Sequence, residues 1–289
     1  MVRITAGFVP LLMAALLFSS CVRAEPRNET VPGLGGDLDS DVMLKQFIDE
    51  PDTDRAFQDH LKAVLAAAEI PAELSRRVME AALGGPSFIL DLLAAMEGDP
   101  YLRRLVDKQH ALPGDYAPDD LAELAGGSYA VNREGLLLRR TAAEALEAMA
   151  AAARAEGITL TASSAYRSYA YQVEVYGRNV RELGQEAADR ESARPGHSQH
   201  QLGLVVDFGS IDDSFAETRA GRWIVANGSR FGWSLSFPRG YEALTGYRWE
   251  SWHYRYLGPE LCYFIDAYFD GIQQYALRFL HEWEKTAGE

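Results

Sequence analysis

The sequence contains few cysteines and few basic residues, and each shortage excludes a class of protein. Two cysteines among 289 residues are too few for a disulfide framework. Lysine and arginine number 28 against 42 aspartate and glutamate residues, which gives a formal net charge of −14. This acidity argues against nucleic acid as a partner and against passive adhesion to anionic lipid, because both need clustered cationic side chains. The composition, 47% hydrophobic and 24% charged, is otherwise that of a globular protein.

Long apolar runs are also scarce, and the clearest one lies at the N-terminus. The run GFVPLLMAALLFSSC follows Arg3, has the length of a signal-peptide core and is too short for a transmembrane helix. Its end resembles a lipobox, which would make Cys21 the lipidated first residue of the mature chain. Ordinary cleavage before Glu25 is the alternative; we favour lipidation, because a cysteine at that point of a leader otherwise has no purpose. Residues 1–24 are therefore predicted to be a leader, and we expect the protein in the cell envelope, on the periplasmic or extracellular face, with a possible lipid anchor.

The remaining chain divides into three segments by composition and periodicity. Residues 25–41 are rich in proline, glycine and acidic residues and predict a flexible tether. Residues 42–104 carry apolar residues at helical spacing and predict a helical accessory segment, either a lid or a spacer. In residues 105–289 helical and strand patterns alternate with short connections, which predicts an α+β domain with a small antiparallel sheet and flanking helices. Within it we expect long helices over 136–157 and 169–192.

Two stretches in this domain carry the residues that could do chemistry. PGHSQHQLGLVVDFG contains His200 and Asp207 around a buried strand, and RWESWHYRY contains Glu250 and His253. Two imidazoles and one carboxylate are a common ligand set for catalytic zinc, with a fourth position left for water. A second ligating carboxylate would reduce the positive charge that lowers the pKa of that water, so Glu250 fits better as a general base beside the metal.

The alternation of side chains along a strand restricts where Glu250 can lie if it is to share a site with His253. Residues 250 and 253 face opposite sides of an ideal strand, so Glu250 must lie in the turn before the strand or at a bulge. From the residues alone, a zinc site and a set of hydrogen-bonded core histidines with surface carboxylates both remain open.

Three motifs, in order and spacing, resemble the D-alanyl-D-alanine carboxypeptidases of the VanY type, within the wider group of lysostaphin-type peptidases and the hedgehog signalling domain. They are SSAYRSYAYQ, PGHSQHQLGLVVD and TGYRWESWHYRYLG, and the upstream LVDKQHALPGDYAPDDL also resembles that family. The resemblance covers about residues 105–260 and implies a hedgehog/DD-peptidase-like fold. It further implies one Zn²⁺ ion bound by His200, Asp207 and His253, with Glu250 as the catalytic base.

The resemblance also implies several contacts to a peptide substrate. Arg167 would hold either a substrate carboxylate or the oxyanion of the tetrahedral intermediate. Gln172 and Ser198 would help to hold the peptide and its terminal carboxylate. Ser164 is either a further contact or a strand-end residue with only a structural hydrogen bond, and Trp252 is a wall residue that would border the substrate groove.

The activity implied is that of a zinc-dependent carboxypeptidase that removes the terminal D-amino acid from peptidoglycan stem peptides, without an obligate protein partner. Three alternatives stay open at this point. They are LD-carboxypeptidase activity on tetrapeptide stems, endopeptidase action on cross-links, and a non-catalytic wall-binding lipoprotein in which zinc is structural.

Overall fold

The structure, a computed structural model, describes residues 53–287, all of which belong to one compact unit. The expected leader with Cys21, the tether and the start of the accessory segment lie outside the described residues. Short 3₁₀ turns aside, the elements in chain order are helices α1 Thr53–Ala67, α2 Ala72–Leu83 and α3 Ser87–Met96, strands β1 Leu121–Glu123, β2 Ala130–Val131 and β3 Leu137–Arg139, helix α4 Arg140–Ala155, strand β4 Thr161–Ser164, helices α5 Tyr169–Leu183 and α6 Gln185–Glu191, strand β5 Val205–Phe208, helix α7 Arg219–Asn227, strand β6 Trp233–Leu235, helix α8 Glu242–Thr245, strand β7 His253–Tyr256, and helices α9 Pro259–Tyr268 and α10 Gln273–Ala287.

The helices of the N-terminal segment pack against the two helices at the C-terminal end of the chain. Their apolar stripes bury a common core with α9 and α10, to which Cys262 also belongs. The large buried side chains from both sides include Leu61, Phe88, Phe264, Phe279 and Trp283. Within residues 53–287 no single helix is long and apolar enough to cross a membrane; α2 and α3 reach that length only as a pair bent by 106°.

A five-stranded sheet carries the second core, and its strand order is β2-β4-β5-β7-β6. Strand β5 lies at the centre because Val205, Val206 and Phe208 are apolar and fully buried. It pairs antiparallel with both β4 and β7. The sheet confirms the expected α+β fold, with one difference, since edge strand β2 runs parallel to β4. The long connection through α4 allows this, because parallel neighbours need a crossover rather than a hairpin.

Two of the expected helices are shorter than their sequence patterns indicate. The helix expected from residue 136 begins at Arg140, because Leu137–Arg139 pairs instead with β1 as a two-stranded antiparallel ladder. It ends near Gly157, whose φ of 70° lies in the left-handed region that favours glycine. The helix expected over 169–192 is broken into α5 and α6 at Gly184, where φ is 80°.

Candidate functional site

The sheet register places the first two candidate ligands. Asp207 lies in β5, and His200 lies in the 3₁₀ turn Gln199–Leu202 just before that strand. The turn ends at Gly203, whose backbone is left-handed with φ of 68°. A Cβ at this position would lie 3.0 Å from side-chain atoms of Arg139 and Leu121. Glycine is therefore required both by the backbone angle and by the neighbouring side chains.

The other two candidates come from the strand next to β5. His253 is the first residue of β7 and stands opposite Asp207 in the antiparallel register. Glu250 lies in the turn before β7, where its carbonyl oxygen accepts a hydrogen bond from the His253 N–H at 3.2 Å. This turn meets the geometric condition stated above, because Glu250 no longer faces away from His253.

The side chains of these residues converge on one point. The ligand atoms of His200, Asp207 and His253 lie within 4.8 Å of one another, and all three side chains are buried. Nε2 of His200 is 3.3 Å from Asp207 Oδ2, and Nδ1 of His253 is 3.1 Å from Asp207 Oδ1. Glu250 Oε2 lies 3.3 Å from the same Nδ1 of His253.

The donor chemistry of this group fits a metal ion. His200 Nδ1 donates a hydrogen bond to the carbonyl oxygen of Ala165 at 2.6 Å, so the lone pair of the neutral ring lies on Nε2. Asp207 Oδ1 is buried and has no hydrogen bond to any described residue, although His253 Nδ1 approaches it. A buried carboxylate oxygen without a donor is costly unless a cation binds it. The three residues therefore suit a zinc ion, with two nitrogen ligands and one oxygen ligand.

The pKa values of the group follow from burial and from mutual contact. Burial lowers the pKa of His200 to about 4, and the charge of Arg167 acts in the same direction. Burial alone would also lower the pKa of His253, but the carboxylates of Asp207 and Glu250, both close to its Nδ1, raise it to about 9. Burial alone would raise the pKa of Asp207, which the two imidazoles nevertheless hold well below its usual range. Asp207 is thus an anion ready to bind a cation.

Arg167 lies at the edge of the same group, directly after β4. Its Nη2 donates to Asp207 Oδ2 at 2.8 Å, and its Nε and Nη2 lie 3.2 and 3.1 Å from Ser164 Oγ. The guanidinium is held from one side by Ser164 and Asp207 and lines the cleft on the other. It is therefore placed to contact a group bound next to the metal position.

A cleft of about 320 Å³ opens onto this group. Its lining comes from α5, from the end of α6 and the segment that follows, and from the turn before β7. The lining residues other than those already described include Val175, Asn179, Leu183, Glu191, His197, Ser198, Gln199, Ile211, Phe237, Tyr247, Arg248 and Trp252.

Not all of the expected substrate contacts face this cleft. Ser198 and Trp252 line it. Gln172 is fully buried, and its Nε2 donates to the carbonyl oxygen of Ala193 at 2.7 Å, so it supports the cleft wall. Ser164 is also buried and contacts the side chain of Arg167. Direct contact of Gln172 or Ser164 with substrate stays a prediction.

Sequence reasoning did not single out several polar and aromatic residues of the cleft. Gln199 contacts His253, and the Tyr247 ring packs on Phe237, which in turn packs on the His253 ring. Arg248 binds Glu191 and Asp213, both at 2.7 Å, at the side of the cleft. Gln199 stands between Ser198 and His200 in the motif, so position within the motif was the one available signal.

Two buried histidines and one buried aspartate, with a second carboxylate beside them on a small sheet, define the class of mononuclear zinc centres. The sequence model of the VanY family, described as D-alanyl-D-alanine carboxypeptidase, matches residues 135–259. These residues contain the four side chains of the centre together with Arg167. The chain belongs to the VanY family of D-alanyl-D-alanine carboxypeptidases.

Curated relatives and solved structures agree with this assignment. The chain is 35% identical over 178 residues to a putative carboxypeptidase, YodJ, of Bacillus subtilis, covering 59% of this chain and 65% of the relative. It is 33% identical over 165 residues to a D-alanyl-D-alanine carboxypeptidase of Enterococcus faecalis, covering 54% and 58%. The matched region is thus less than two thirds of these relatives' length.

Among solved structures, that of the LD-carboxypeptidase LdcB has 34% identity and a TM-score of 0.52, covering 58% of this chain and 85% of that one. A mutant of the D,D-pentapeptidase VanY from a VanB-type resistance cassette, in complex with Zn(II), has 31% identity and a TM-score of 0.50. That match covers 60% of this chain and 96% of the other.

Proposed function

We propose that the protein is a zinc-dependent D-alanyl-D-alanine carboxypeptidase that removes the terminal D-amino acid from peptidoglycan stem peptides. The observation that carries the proposal is the convergence of His200, Asp207 and His253 at the bottom of a cleft that Glu250 also lines. A relative from Enterococcus faecalis that is 33% identical has the corresponding name.

Each residue has a distinct task in this reaction. His200, Asp207 and His253 would hold zinc, which when bound acts as a Lewis acid and lowers the pKa of water. The side chain of Glu250 is 13% exposed and touches His253, so it lies beside the metal position without being one of the three ligands. It would accept a proton from the attacking water and return it to the amine of the departing D-amino acid.

Arg167 would stabilise negative charge on the substrate. Its guanidinium is fixed by Ser164 and Asp207 before any substrate arrives, so no reorganisation is needed at the moment of reaction. Two groups fit this position, the terminal carboxylate of the peptide and the oxyanion that forms at the scissile carbonyl. Ser198 also lines the cleft and would donate a hydrogen bond to the terminal carboxylate.

The decisive experiment uses purified protein with zinc and defined tripeptide, tetrapeptide and pentapeptide stems, followed by mass spectrometry. Loss of one terminal D-alanine from the pentapeptide alone is the expected result. A Glu250→Gln variant serves as the matched control, since it keeps the size of the side chain and removes the base. Failure of the zinc-loaded protein to cleave any stem would overturn the proposal and favour a wall-binding role.

LD-carboxypeptidase activity is a second candidate, because the structural neighbour LdcB has that activity and 34% identity to this chain. The same centre can hydrolyse either bond, and the difference lies in how the cleft holds the residues before it. Cleavage of the tetrapeptide stem with the pentapeptide left intact would select this candidate.

We also propose that the protein acts in the cell envelope, anchored through a lipid on Cys21, without an obligate protein partner. The proposal rests on the leader-like residues 1–24 and on the location of the intended substrate. Metabolic labelling with a fatty acid is expected to mark the wild-type protein and to leave a Cys21→Ala variant unmarked. Labelling of both, or of neither, would contradict the anchor.

A further inference from the structure

His253, one of the three metal ligands, is oriented by the side chain of Gln199, to which no role has been assigned. Nε2 of His253 lies 3.3 Å from Oε1 of Gln199. The same Oε1 accepts a hydrogen bond from the hydroxyl of Ser236 at 2.7 Å. The Ser236 N–H donates to the carbonyl oxygen of His253 at 3.2 Å, which closes a ring of three residues. All three are buried, with exposed fractions of 4% for Gln199, 1% for Ser236 and 4% for His253.

In the neutral form of His253 that binds a metal, this three-residue ring determines which imidazole nitrogen keeps its proton. An amide oxygen accepts hydrogen bonds and cannot donate them, so the nitrogen that faces Gln199 Oε1 must bear a hydrogen. The lone pair of the neutral ring then lies on Nδ1, the nitrogen 3.1 Å from Asp207 Oδ1. The Phe237 ring packs at 4.7 Å from the imidazole centroid and limits its rotation.

The two histidine ligands differ in how they are oriented. His200 is oriented by the backbone carbonyl of Ala165, which is retained whatever side chain stands there. His253 instead depends on the side chain of Gln199, 54 residues away in sequence. An oriented tautomer strengthens metal binding, since a ligand that must first rotate or exchange its proton spends part of the binding free energy on doing so.

We propose that Gln199 is a positioning residue for the metal, which holds His253 in the tautomer that presents Nδ1. The proposal rests on zinc binding by the three ligands, as in the proposed function, but it does not depend on the peptide substrate. It can therefore be tested by metal binding even if none of the stem peptides is cleaved.

The test is the zinc affinity of Gln199→Met, measured by competition with a chromophoric chelator. Methionine keeps the length of the side chain and removes the acceptor oxygen. We expect the dissociation constant for zinc to rise about 10- to 100-fold, as is usual when a partner of a ligating histidine is lost. Gln199→Glu restores an acceptor and is expected to recover most of the affinity. Ser236→Ala, which frees the amide to rotate, is expected to give a smaller loss.

A matched control is available on the same 3₁₀ turn. Gln201 is also buried, and its Nε2 donates to the carbonyl oxygens of Pro113 and Tyr116, away from the metal group. Gln201→Met is expected to lower the melting temperature of the metal-free protein and to leave zinc affinity unchanged. The absorption spectrum of the cobalt-loaded protein gives a second readout, because it reports ligand geometry; it should change in Gln199→Met and not in Gln201→Met.

Two results would overturn the proposal. The first is wild-type zinc affinity and an unchanged cobalt spectrum in Gln199→Met. The second is an equal loss of affinity in Gln199→Met, Gln199→Glu and Gln201→Met, which would show that the turn needs its native packing and not an acceptor. If Gln199→Met does not fold, as judged by circular dichroism, the zinc affinities of Gln199→Glu and Ser236→Ala decide the question. A smaller loss of zinc affinity in Gln199→Glu than in Ser236→Ala supports the proposal. An equal or larger loss in Gln199→Glu contradicts it.

Discussion

Arg167 and Asp207 form a partly buried ion pair in which Nη2 lies 2.8 Å from Oδ2. Asp207 presents its other oxygen, Oδ1, towards His253 Nδ1. Asp207 Oδ2 thus contacts both Arg167 and Nε2 of His200, whereas Oδ1 has no hydrogen bond within the described residues and remains available to a metal ion. This relationship makes it possible to separate substrate stabilisation from metal binding by experiment.

Replacement of Arg167 by methionine is expected to lower kcat/KM for the stem peptide about 100- to 1,000-fold, the usual loss when one oxyanion donor is removed. Zinc content should not fall, because the three ligands remain and a positive charge beside the metal has been removed. Steady-state kinetics and metal analysis of the same sample check both parts. A loss of zinc as large as that of a ligand variant would show that Arg167 is needed for metal binding.

Steady-state kinetics and metal analysis should also distinguish the metal ligands from the general base. His200→Ala removes a ligand and should give protein that binds little zinc. Glu250→Gln should retain zinc while turnover falls about 100- to 10,000-fold, the usual contribution of a general base. A glutamine variant with wild-type turnover would show that another group moves the proton.

Acid should destabilise the protein partly through Asp107, which is buried. Burial alone would raise the pKa of Asp107, but hydrogen bonds from the Gln109 N–H and the His110 ring lower it below its ordinary value. The folded pKa thus lies below the unfolded pKa of about 3.9, so the stabilisation is fully present above that pH and is lost as pH falls through the folded pKa.

Asp107→Asn is the variant that tests this dependence. Denaturant unfolding should find the variant less stable than wild type near neutral pH, with a difference that shrinks as pH falls to about 2. Gln274 Nε2 also donates to Asp107, and asparagine keeps an oxygen for this contact. A difference that stays constant from neutral pH to pH 2 would exclude the carboxylate as the cause.

Gly203 is expected to be intolerant of alanine because the backbone angle and the neighbouring side chains both oppose a Cβ. Left-handed backbone costs a non-glycine residue about 1–2 kcal/mol, and crowding adds to that cost. Gly157 is the matched control, since its φ of 70° is nearly the same and a Cβ there would meet no atom within 4 Å. We expect Gly203→Ala to reduce both the unfolding free energy and zinc affinity, and Gly157→Ala to reduce only the first, by less. Equal effects would mean that crowding at Gly203 contributes nothing.

The central strand and the ligand set could be predicted from sequence because their signals are local. Val205 and Val206 form a short apolar run, and the ligands belong to motifs with fixed spacing. The position of Glu250 followed from the opposite facing of residues three apart in a strand.

Other parts of the fold depend on partners distant in sequence. Leu137–Arg139 has the composition of a helix start, and only the presence of β1 makes it a strand. Gln172 is fully buried and bonds to the backbone of the segment after α6, a contact that its local sequence does not indicate. The only sequence signal for Gln199 is its place between Ser198 and His200 in the motif, because its contact with His253 requires two neighbouring strands and a turn to be assembled first.

The core shared by α1–α3 with α9 and α10 has a consequence for any shortened version of the protein. These helices flank the region matched by the family, residues 135–259, on both sides. Removal of α1–α3 would expose the aromatic surface around Phe264 and Phe279, and removal of α9 and α10 would expose Phe88; either exposed surface favours aggregation. Helices α1–α3 and α9–α10 thus form one packing unit, so a shortened protein should either keep both groups of helices or lack both.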